Sequence, residues 1–293
     1  MKILLLGKTG LLGGYFFDFL LSLNPGSFYA PLREELDVLD YPAVKEYISH
    51  IKPDIVINCT GYTAVDDAEQ EKDKAFQCNA EAVGNLASCC KNIDAVFLHF
   101  STDYIFDGEN KDGYCEDDPK KPLNAYGESK LAGENLIIQN MDKYYIIRTA
   151  WLFGKYGKNF VDTMLGLADR KKKLSVVVDQ FGSPTYAKDL ASFVASNFLE
   201  DSKLPFGVYH ITNSGVCSWY ELAEETFKIA KKNVVLNKVE SSAFPRPAKR
   251  PHYSILLNKK LKNCPRDWKE ALSAYLGKIK PDSLSEASPR SFL

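Results

Sequence analysis

The chain begins with the stretch KILLLGKTGLLG at residues 2–13, which joins a short apolar run to three glycines. The apolar run is typical of a buried strand, and the glycines follow it with the spacing G-x-x-G-x-x-G. Gly7 permits a tight turn, Gly10 lets the backbone approach a pyrophosphate, and Gly13 allows a helix to pack closely on the strand. Free N–H groups at the start of that helix would face the phosphates. The stretch therefore predicts a strand–turn–helix unit that binds a dinucleotide.

The rest of the first half alternates short apolar runs with helical periodicity. A parallel sheet with helices on both faces produces this alternation. The pattern predicts helices at 11–23, 42–51, about 80–90 and 125–138, and strands at 2–6, 28–32, 55–59, 95–100 and 145–147. Beyond about residue 152 the pattern loosens, and it predicts strands at 174–178 and 207–212 and a helix from about 218 to 231.

These elements predict an α/β fold with a Rossmann-type doubly wound parallel sheet and a smaller C-terminal substrate-binding α/β domain. Residues 1–152 are predicted to form an NAD(P)-binding domain, rejoined by a returning segment near 174–199. Residues 153–293 would belong mainly to the substrate-binding domain. A stretch rich in serine and proline from about residue 281 is predicted to be a loosely held tail.

Composition limits the partners and the compartment. The 37 basic and 38 acidic residues give a net charge of −1, so there is no overall attraction to nucleic acid or to an anionic membrane. No apolar run is long enough to span a bilayer. The seven cysteines include no C-x-x-C pair, and the four scattered histidines show no metal-ligand spacing, so we interpret the histidines as structural or surface residues. We expect a cytoplasmic protein with free thiols and without a metal, nucleic-acid or membrane partner.

The residue after the predicted second strand bears on the choice of nicotinamide cofactor. An acidic residue there would bind the ribose hydroxyl of NAD, whereas an arginine can accept the extra phosphate of NADP. The residue is Arg33, and Lys8 in the glycine turn is a second candidate for that phosphate. The alternative is that both are solvated surface charges. The pattern favours NADPH and leaves NADH possible.

Tyr126 and Lys130 stand four residues apart in a predicted helix, which places both side chains on one face. A neighbouring ammonium, together with the cationic ring of an oxidised nicotinamide, would lower the pKa of the phenol from its usual value of about 10. Such a tyrosine can give a proton to a carbonyl oxygen as hydride reaches the carbon. Without further context, a tyrosine and a lysine four residues apart are as typical of a helix surface as of a catalytic site. The neighbouring residues therefore decide between the two interpretations.

That context is the end of the apolar strand 95–100, which is followed by Ser101, Thr102 and Asp103. Ligands of parallel sheets bind at the carboxyl ends of the strands. A hydroxyl there can bond the substrate oxygen and align it with Tyr126. We assign this role to Thr102, with Ser101 as its substitute. A helix cap or a turn is the alternative interpretation.

The order of glycine turn, strand-end hydroxyl and Tyr-x-x-x-Lys resembles the extended short-chain dehydrogenase/reductase family. Within it, the chain is similar to the dTDP-4-dehydrorhamnose reductases from residue 1 to about residue 260. The similar stretches are GKTG at 7–10, NCTGYTAVD at 58–66, STDYIFDG at 101–108, YGESKLAGE at 126–134, RTAW at 148–151 and DQFGSPT at 179–185.

The resemblance implies roles for individual residues. Those at the cofactor would be Gly10, Leu11, Leu12, Asp37, Val38, Gly61, Tyr62, Thr63, Phe100, Tyr126 and Lys130, beside Gly7, Gly13 and Arg33 predicted above. Thr102, Asp103 and Trp151 would face a sugar nucleotide, since an aromatic side chain suits stacking on a ring. Some members bind magnesium at a position where this chain has Tyr15, which offers no carboxylate, so we expect no metal.

A proline-stiffened basic loop at 243–251 carries Arg246, Lys249 and Arg250. The guanidinium fork of arginine pairs well with phosphate. We predict that Arg246 and Arg250 bind the diphosphate of the substrate, with Asn159–Phe160 also directed at the sugar nucleotide. A solvated basic loop is the alternative.

The implied activity is NADPH-dependent reduction of the C4 keto group of dTDP-4-dehydro-6-deoxy-L-mannose to dTDP-L-rhamnose, a step toward cell-surface polysaccharide. A homodimer is a further expectation. One alternative is a nucleotide-sugar dehydratase or epimerase, although Tyr104 stands where dehydratases carry a glutamate. The other is a non-catalytic subunit resembling the regulatory subunit of methionine adenosyltransferase, which would not need Thr102, Tyr126 and Lys130.

Overall fold

The structure is a computed structural model that describes residues 1–23, 28–199 and 204–277. The strands are β1 Ile3–Leu6, β2 Phe28–Tyr29, β3 Ile55–Asn58, β4 Val96–Thr102, β5 Tyr144–Thr149, β6 Leu152–Phe153, β7 Lys173–Val177, β8 Phe181–Gly182, β9 Thr185–Tyr186, β10 Gly207–His210, β11 Cys217–Ser218, β12 Val235–Val239 and β13 Tyr253–Ser254. The α-helices are α1 Leu11–Leu23, α2 Tyr41–Ile51, α3 Lys72–Phe76, α4 Ala82–Asn92, α5 Ala125–Asn140, α6 Phe160–Ala168, α7 Ala187–Val194, α8 Trp219–Ile229 and α9 Trp268–Leu276. Within the described ranges, no helix has the length and apolar character needed to cross a membrane.

Six strands form the central sheet in the order β10–β5–β4–β3–β1–β2, and every neighbouring pair is parallel. The chain runs from β1 to β2 on one side and then crosses to β3 on the other, so the strand order reverses between β1 and β3. In doubly wound sheets, ligands bind outside the carboxyl ends of the strands at such a reversal. The predicted Rossmann-type fold is confirmed.

Helices cover both faces of this sheet because its strands are apolar on both sides. Leu5 of β1 belongs to a core shared with α1 and α7, in which Phe16 and Leu190 are buried. Leu4, the preceding residue, belongs to the opposite core, with Ile48 of α2 and Leu86 of α4. Since the sheet is packed from both sides, residues at the carboxyl ends of its strands stand on a rigid edge.

The second half of the chain lies partly in the central sheet and partly outside it. β10 adds a strand beside β5, and α7 packs against α1. β7 instead pairs with β12 in a separate two-stranded sheet that α6 and α8 cover, so the start of the predicted returning segment 174–199 does not reach the central sheet. The domain boundary near residue 152 stays a prediction. The predicted tail from residue 281 lies outside the described residues.

Candidate active site

The glycine turn between β1 and α1 has the backbone geometry that its sequence predicts. Gly7 has a φ of +84°, a left-handed value that favours glycine, and a Cβ there would lie 2.9 Å from the carbonyl carbon of Cys59. A Cβ on Gly13 would meet the carbonyl oxygen of Gly7 at 2.0 Å, so α1 starts directly against the turn. Gly10 is exposed, whereas Leu12 is buried and offers a ligand only its backbone. The turn fits the pyrophosphate of a dinucleotide.

Arg33 follows β2 at the edge of the same site, with its side chain 75% exposed. Its Nη2 donates to Oδ2 of Asp37 at 3.1 Å. Lys8 places its ammonium 5.5 Å from the centre of the Phe17 ring. An exposed ion pair is worth little, so a ligand phosphate can displace the carboxylate from Arg33.

The loop Gly61–Thr63, which follows β3, is held by the fully buried Asn79. Oδ1 of Asn79 accepts from the N–H of Tyr62 at 2.8 Å, and its Nδ2 donates to the Tyr62 carbonyl at 2.9 Å and to Ser129 Oγ at 3.0 Å. The sequence motifs do not predict roles for Asn79 and Ser129. The one feature that could have indicated Asn79 is its polar amide, which stands beside the apolar stripe of the helix at 80–90.

Tyr126 and Thr102 lie together at the carboxyl end of β4. Asn124 caps α5 by accepting from the N–H of Gly127 at 2.8 Å, which fixes the turn that carries Tyr126. Burial raises the pKa of Tyr126 to about 12, although a side-chain hydrogen bond with Thr102 lowers it. Burial outweighs this hydrogen bond, and the lowered pKa that the sequence predicts beside an oxidised nicotinamide stays a prediction.

The side chain of Lys130 is buried, and its amine contacts β4. Its Nζ donates to the carbonyl of Phe100 at 2.6 Å and lies 3.1 Å from Nε2 of His99. Burial lowers the pKa of Lys130 to about 8. The ring of Phe100 packs 5.5 Å from that of Phe16 in the core. Because Nε2 of His99 lies beside the Lys130 amine, His99 belongs to the site. An ionisable residue inside an apolar strand is the sequence feature that could have indicated it.

Three buried polar atoms at the carboxyl ends of β4 and β5 have no hydrogen-bond partner among the described residues: Ser101 Oγ, Asp103 Oδ2 and Thr149 Oγ1. Thr102 accepts from the N–H of Tyr104 at 3.2 Å and donates to Oδ1 of Asp103 at 3.0 Å, so it is both a turn cap and a site hydroxyl. Burial raises the pKa of Asp103 to about 6. Buried polar groups without partners cost free energy that a ligand hydroxyl can recover.

Arg148 forms a buried ion pair beside the site. Its Nη2 and Nε donate to the Glu134 carboxylate at 2.7 and 3.0 Å, and both side chains are 1% exposed. Its Nη1 donates to the carbonyl of Glu116 at 2.8 Å and lies 3.2 Å from Nε2 of His210. The cluster joins β5, β10 and α5, so it holds together the elements on which the site stands.

Trp151 stacks on Trp219, with ring centres 3.4 Å apart and planes 2° from parallel. Its Nε1 donates to Ser254 Oγ at 3.1 Å, and a Cβ on Gly182 would meet the indole at 2.5 Å. One face of the indole is therefore occupied, and the prediction that Trp151 faces the sugar nucleotide stays a prediction. Trp219 occupies one face because stacking removes apolar ring area from water.

The basic loop is tied to the first half of the chain through Asp66. Arg250 donates with Nη1 to Oδ1 at 2.6 Å and with Nη2 to Oδ2 at 3.0 Å, while Nη1 of Arg246 stands 3.7 Å from the same carboxylate. A carboxylate therefore already neutralises the fork of Arg250, and binding of the diphosphate by Arg246 or Arg250 stays a prediction.

Two further side chains discussed in the sequence predictions, Asn159 and Tyr15, already have hydrogen-bond partners. The buried Asn159 caps α6 by accepting from Asp162 N–H at 3.0 Å, and its Nδ2 donates to the Gly154 carbonyl at 2.9 Å, so its amide is not directed at a substrate. Tyr15 accepts from the N–H of Lys155 at 3.0 Å. In the part of the chain that the structure describes, no three His, Cys, Asp or Glu side chains are grouped as metal ligands.

Comparison with known proteins places this architecture in a family. Residues 1–280 match the family model described as the RmlD substrate binding domain. The chain belongs to this family. A relative, the spore coat polysaccharide biosynthesis protein SpsK of Bacillus subtilis, is 39% identical over 280 residues, which are 94% of this chain and 96% of that protein.

Two solved structures resemble this RmlD-family chain closely. A dTDP-4-dehydrorhamnose reductase from Clostridium acetobutylicum has a TM-score of 0.91 and 40% identity, over 94% of this chain and 99% of that chain. A dTDP-4-dehydrorhamnose reductase from Bacillus anthracis in complex with NADP has a TM-score of 0.90 and 36% identity, over 95% of this chain and 100% of that chain. The resemblance drawn from the sequence motifs is confirmed.

Proposed function

We propose that this protein is an NADPH-dependent oxidoreductase that reduces the C4 keto group of dTDP-4-dehydro-6-deoxy-L-mannose to dTDP-L-rhamnose. The observation that carries the proposal is the pairing of Tyr126 with Thr102 at the carboxyl end of the sheet, in a fold whose glycine turn fits a pyrophosphate. Membership of the RmlD family and the NADP complex of the Bacillus anthracis relative support it. The name of the Bacillus subtilis relative supports a role in polysaccharide synthesis.

Tyr126 is the proton donor in this proposal. A pKa of about 12 keeps its phenol protonated at neutral pH, as a general acid in a reduction requires. Thr102 orients the phenol and the keto oxygen toward each other. NADPH, when bound, supplies the hydride. The unpartnered Oδ2 of Asp103 accepts a hydrogen bond from a hydroxyl of the sugar.

Cofactor binding is assigned to the glycine turn, to the loops at 37–38 and 61–63, and to Arg33. The turn presents backbone N–H groups to the pyrophosphate. Arg33 is exposed and its pairing with Asp37 is weak, so the extra phosphate of NADPH can take the guanidinium in a charge-assisted bond. NADPH is therefore preferred to NADH.

Substrate selectivity is assigned to the wall formed by Trp151 and Trp219 and to Arg246. The 3.7 Å contact of Arg246 with Asp66 leaves its guanidinium less engaged than that of Arg250. Arg246 is therefore the better candidate for the diphosphate, and Arg250 keeps the loop attached to Asp66.

We also infer a cytoplasmic location, since all seven cysteines are free thiols and would survive unpaired in a reducing compartment. The partner required by the proposal is a nucleotide sugar, and neither nucleic acid nor a membrane is needed. A homodimer stays a prediction.

The test is turnover of dTDP-4-dehydro-6-deoxy-L-mannose with NADPH or NADH, followed by the loss of reduced-nicotinamide absorbance. We expect one equivalent of NADPH oxidised per sugar, slower oxidation of NADH, and dTDP-L-rhamnose as the product by NMR. A protein that binds NADPH and leaves the sugar unchanged would be a non-catalytic subunit instead.

The substrate assignment has its own test. Arg246→Ala should weaken the binding of dTDP measured by calorimetry and leave NADPH affinity unchanged. Lys249→Ala, an exposed cation of the same loop, is the matched control. Equal dTDP affinities of the parent and Arg246→Ala would remove Arg246 from the site.

A further inference from the structure

The environment of the Lys130 amine has an unusual donor and acceptor arrangement. The amine is enclosed by the Phe100 carbonyl, which accepts from it at 2.6 Å, and by Nε2 of His99 at 3.1 Å. Both side chains are buried, Lys130 to 4% exposure and His99 to 0%. Whether Nε2 carries a hydrogen therefore decides which charge state of the amine fits.

The tautomer of His99 follows from its other neighbour, Asn58. Oδ1 of Asn58 accepts from the N–H of Thr60 at 3.0 Å and from its hydroxyl at 2.6 Å. These two donors fix the orientation of the amide, so the NH2 group of Asn58 faces Nδ1 of His99 at 3.1 Å. A turned amide would place its NH2 group against the backbone N–H of Thr60 and lose that bond.

Nδ1 of His99 therefore accepts, and a neutral ring carries its hydrogen on Nε2. A doubly protonated ring is disfavoured, because burial holds the pKa of His99 well below its usual range. The Nε2–H then points at Nζ of Lys130. An ammonium there would face another donor, whereas an uncharged amine can accept from Nε2–H and donate to Phe100.

We propose that Asn58 and His99 are positioning residues that fix the tautomer of His99 and thereby favour the uncharged form of the Lys130 amine in the cofactor-free protein. The pair acts through Lys130 and does not itself touch the substrate. No signal in the sequence predicts this, because Asn58 and His99 are 41 residues apart and meet only through neighbouring strands.

The other groups around Lys130 do not restore a counter-charge. Cys59, which directly follows β3, is partly buried, and desolvation raises the pKa of its thiol, so it stays neutral at physiological pH. Glu134 raises the pKa of Lys130, but its carboxylate is bound by the fork of Arg148. Burial therefore remains the largest influence, and the His99 donor adds to it.

The consequence for the reaction rests on the proposed function. By favouring the uncharged amine, the Asn58–His99 pair also favours the protonated phenol of Tyr126, which is the form that acts as an acid. When the O–H bond of Tyr126 breaks and the proton passes to the keto oxygen, a phenolate is left on the same helix face. Its negative charge favours protonation of Lys130, and the ammonium then stabilises the phenolate.

The test uses the cofactor-free full-length protein and needs no substrate, so its outcome is separable from that of the proposed function. Ring-nitrogen NMR of ¹⁵N-histidine-labelled protein reports the tautomer, and ¹³Cε-lysine NMR reports the charge of Lys130. His99→Gln and Lys130→Met identify the resonances. We expect hydrogen on Nε2 of His99 at neutral pH, and titration of Lys130 at least about two units below its usual value.

Asn58→Asp sharpens the test, because a carboxylate accepts from Nδ1–H and reverses the tautomer. We expect hydrogen on Nδ1 of His99 in this variant and a pKa of Lys130 raised by about one unit or more. The control is Thr60→Val, which keeps the backbone N–H that orients Asn58 and should leave the tautomer unchanged. Hydrogen on Nδ1 in the parent, or titration of Lys130 at its usual value, would overturn the proposal.

Discussion

Two buried clusters of this protein each contain a histidine beside a cation, and they differ in which group donates. His210 presents its Nε2 lone pair to Arg148 at 3.2 Å, since its Nδ1 lies 3.1 Å from the carbonyls of Tyr114 and Leu257 and must donate there. His99 presents an N–H to Lys130, because Asn58 donates to its other nitrogen. The two rings are thus opposite tautomers.

The difference separates a structural cluster from a catalytic one. Arg148 has a carboxylate partner in Glu134 and an acceptor in His210, so its charge is fully compensated. Lys130 has a carbonyl and a donor, so its charge is left uncompensated, and burial lowers its pKa to about 8. A compensated buried charge holds elements together, whereas an uncompensated one is poised to change its protonation state.

The largest expected effect concerns the catalytic cluster. Tyr126→Phe removes the proton donor, which should lower the rate of sugar reduction about 10²–10⁴-fold. Its free energy of unfolding should change by less than about 1 kcal/mol, because the ring is kept. Steady-state rates and urea unfolding check both statements, and a rate within a few-fold of the parent would show that Tyr126 is not the acid.

In the structural cluster of Arg148 and Glu134, we expect a substitution to lower the stability of the fold. Glu134→Gln leaves the Arg148 charge buried without its partner, which should lower the free energy of unfolding by about 3–5 kcal/mol. Asp94→Asn, in the exposed pair with Lys143, is the control and should cost less than about 1 kcal/mol. Similar losses in the two variants would mean that burial of the Arg148 pair has no energetic consequence.

A pH dependence of stability follows from the lowered pKa of Lys130. The folded protein holds this proton less tightly than the unfolded chain, so folding is penalised at pH values below about 8. The penalty disappears as the pH rises toward the unfolded pKa of about 10.4, and stability rises in that window.

Urea unfolding of the parent and of Lys130→Met at pH 7.5 and pH 10 isolates this contribution from other titrating groups. Between these pH values the parent should gain about 2.5 kcal/mol relative to the variant. If the stability difference between the parent and Lys130→Met is the same at both pH values, Lys130 has the same pKa in the folded and unfolded chains. The contrast with Arg148 would then be lost.

Arg33 is the exposed counterpart of the two buried cations and should show the smallest effect. Arg33→Ala should weaken NADPH binding by about 1.5–3 kcal/mol through the lost charge-assisted bonds, with NADH affinity unchanged. Dissociation constants at fixed salt give the comparison. Equal affinity of the parent for both cofactors would contradict the NADPH preference, and unchanged NADPH affinity in Arg33→Ala would assign that preference to other residues.

Local sequence was enough for most elements of the central sheet and for part of the site. The glycine turn and the Tyr126–Lys130 spacing are written within a few residues, and the structure places them as predicted around β1 and α5. The Asn58–His99 contact and the fork of Arg250 on Asp66 join residues far apart in the chain. Such contacts depend on strand register and loop docking, which composition and periodicity do not encode.

The raised pKa of Tyr126 is a second property that local sequence does not predict. Spacing placed a cation near the phenol, but the extent of burial, which decides the direction of the shift, is a property of the folded chain. Trp151 gives a second example, since nothing in its local sequence indicates that Trp219 covers one of its faces.

Tracing the transferred hydride tests whether this protein reduces C4 of the keto sugar with NADPH. The parent protein is incubated with dTDP-4-dehydro-6-deoxy-L-mannose and NADPH that carries deuterium at the transferable C4 position of the nicotinamide, and the sugar product is analysed by NMR and mass spectrometry. We expect one deuterium per molecule, bound to C4 of dTDP-L-rhamnose, and no labelled product when the Tyr126→Phe variant is incubated for the same short time. Unchanged sugar with the parent, or deuterium at another carbon, would contradict the proposed function.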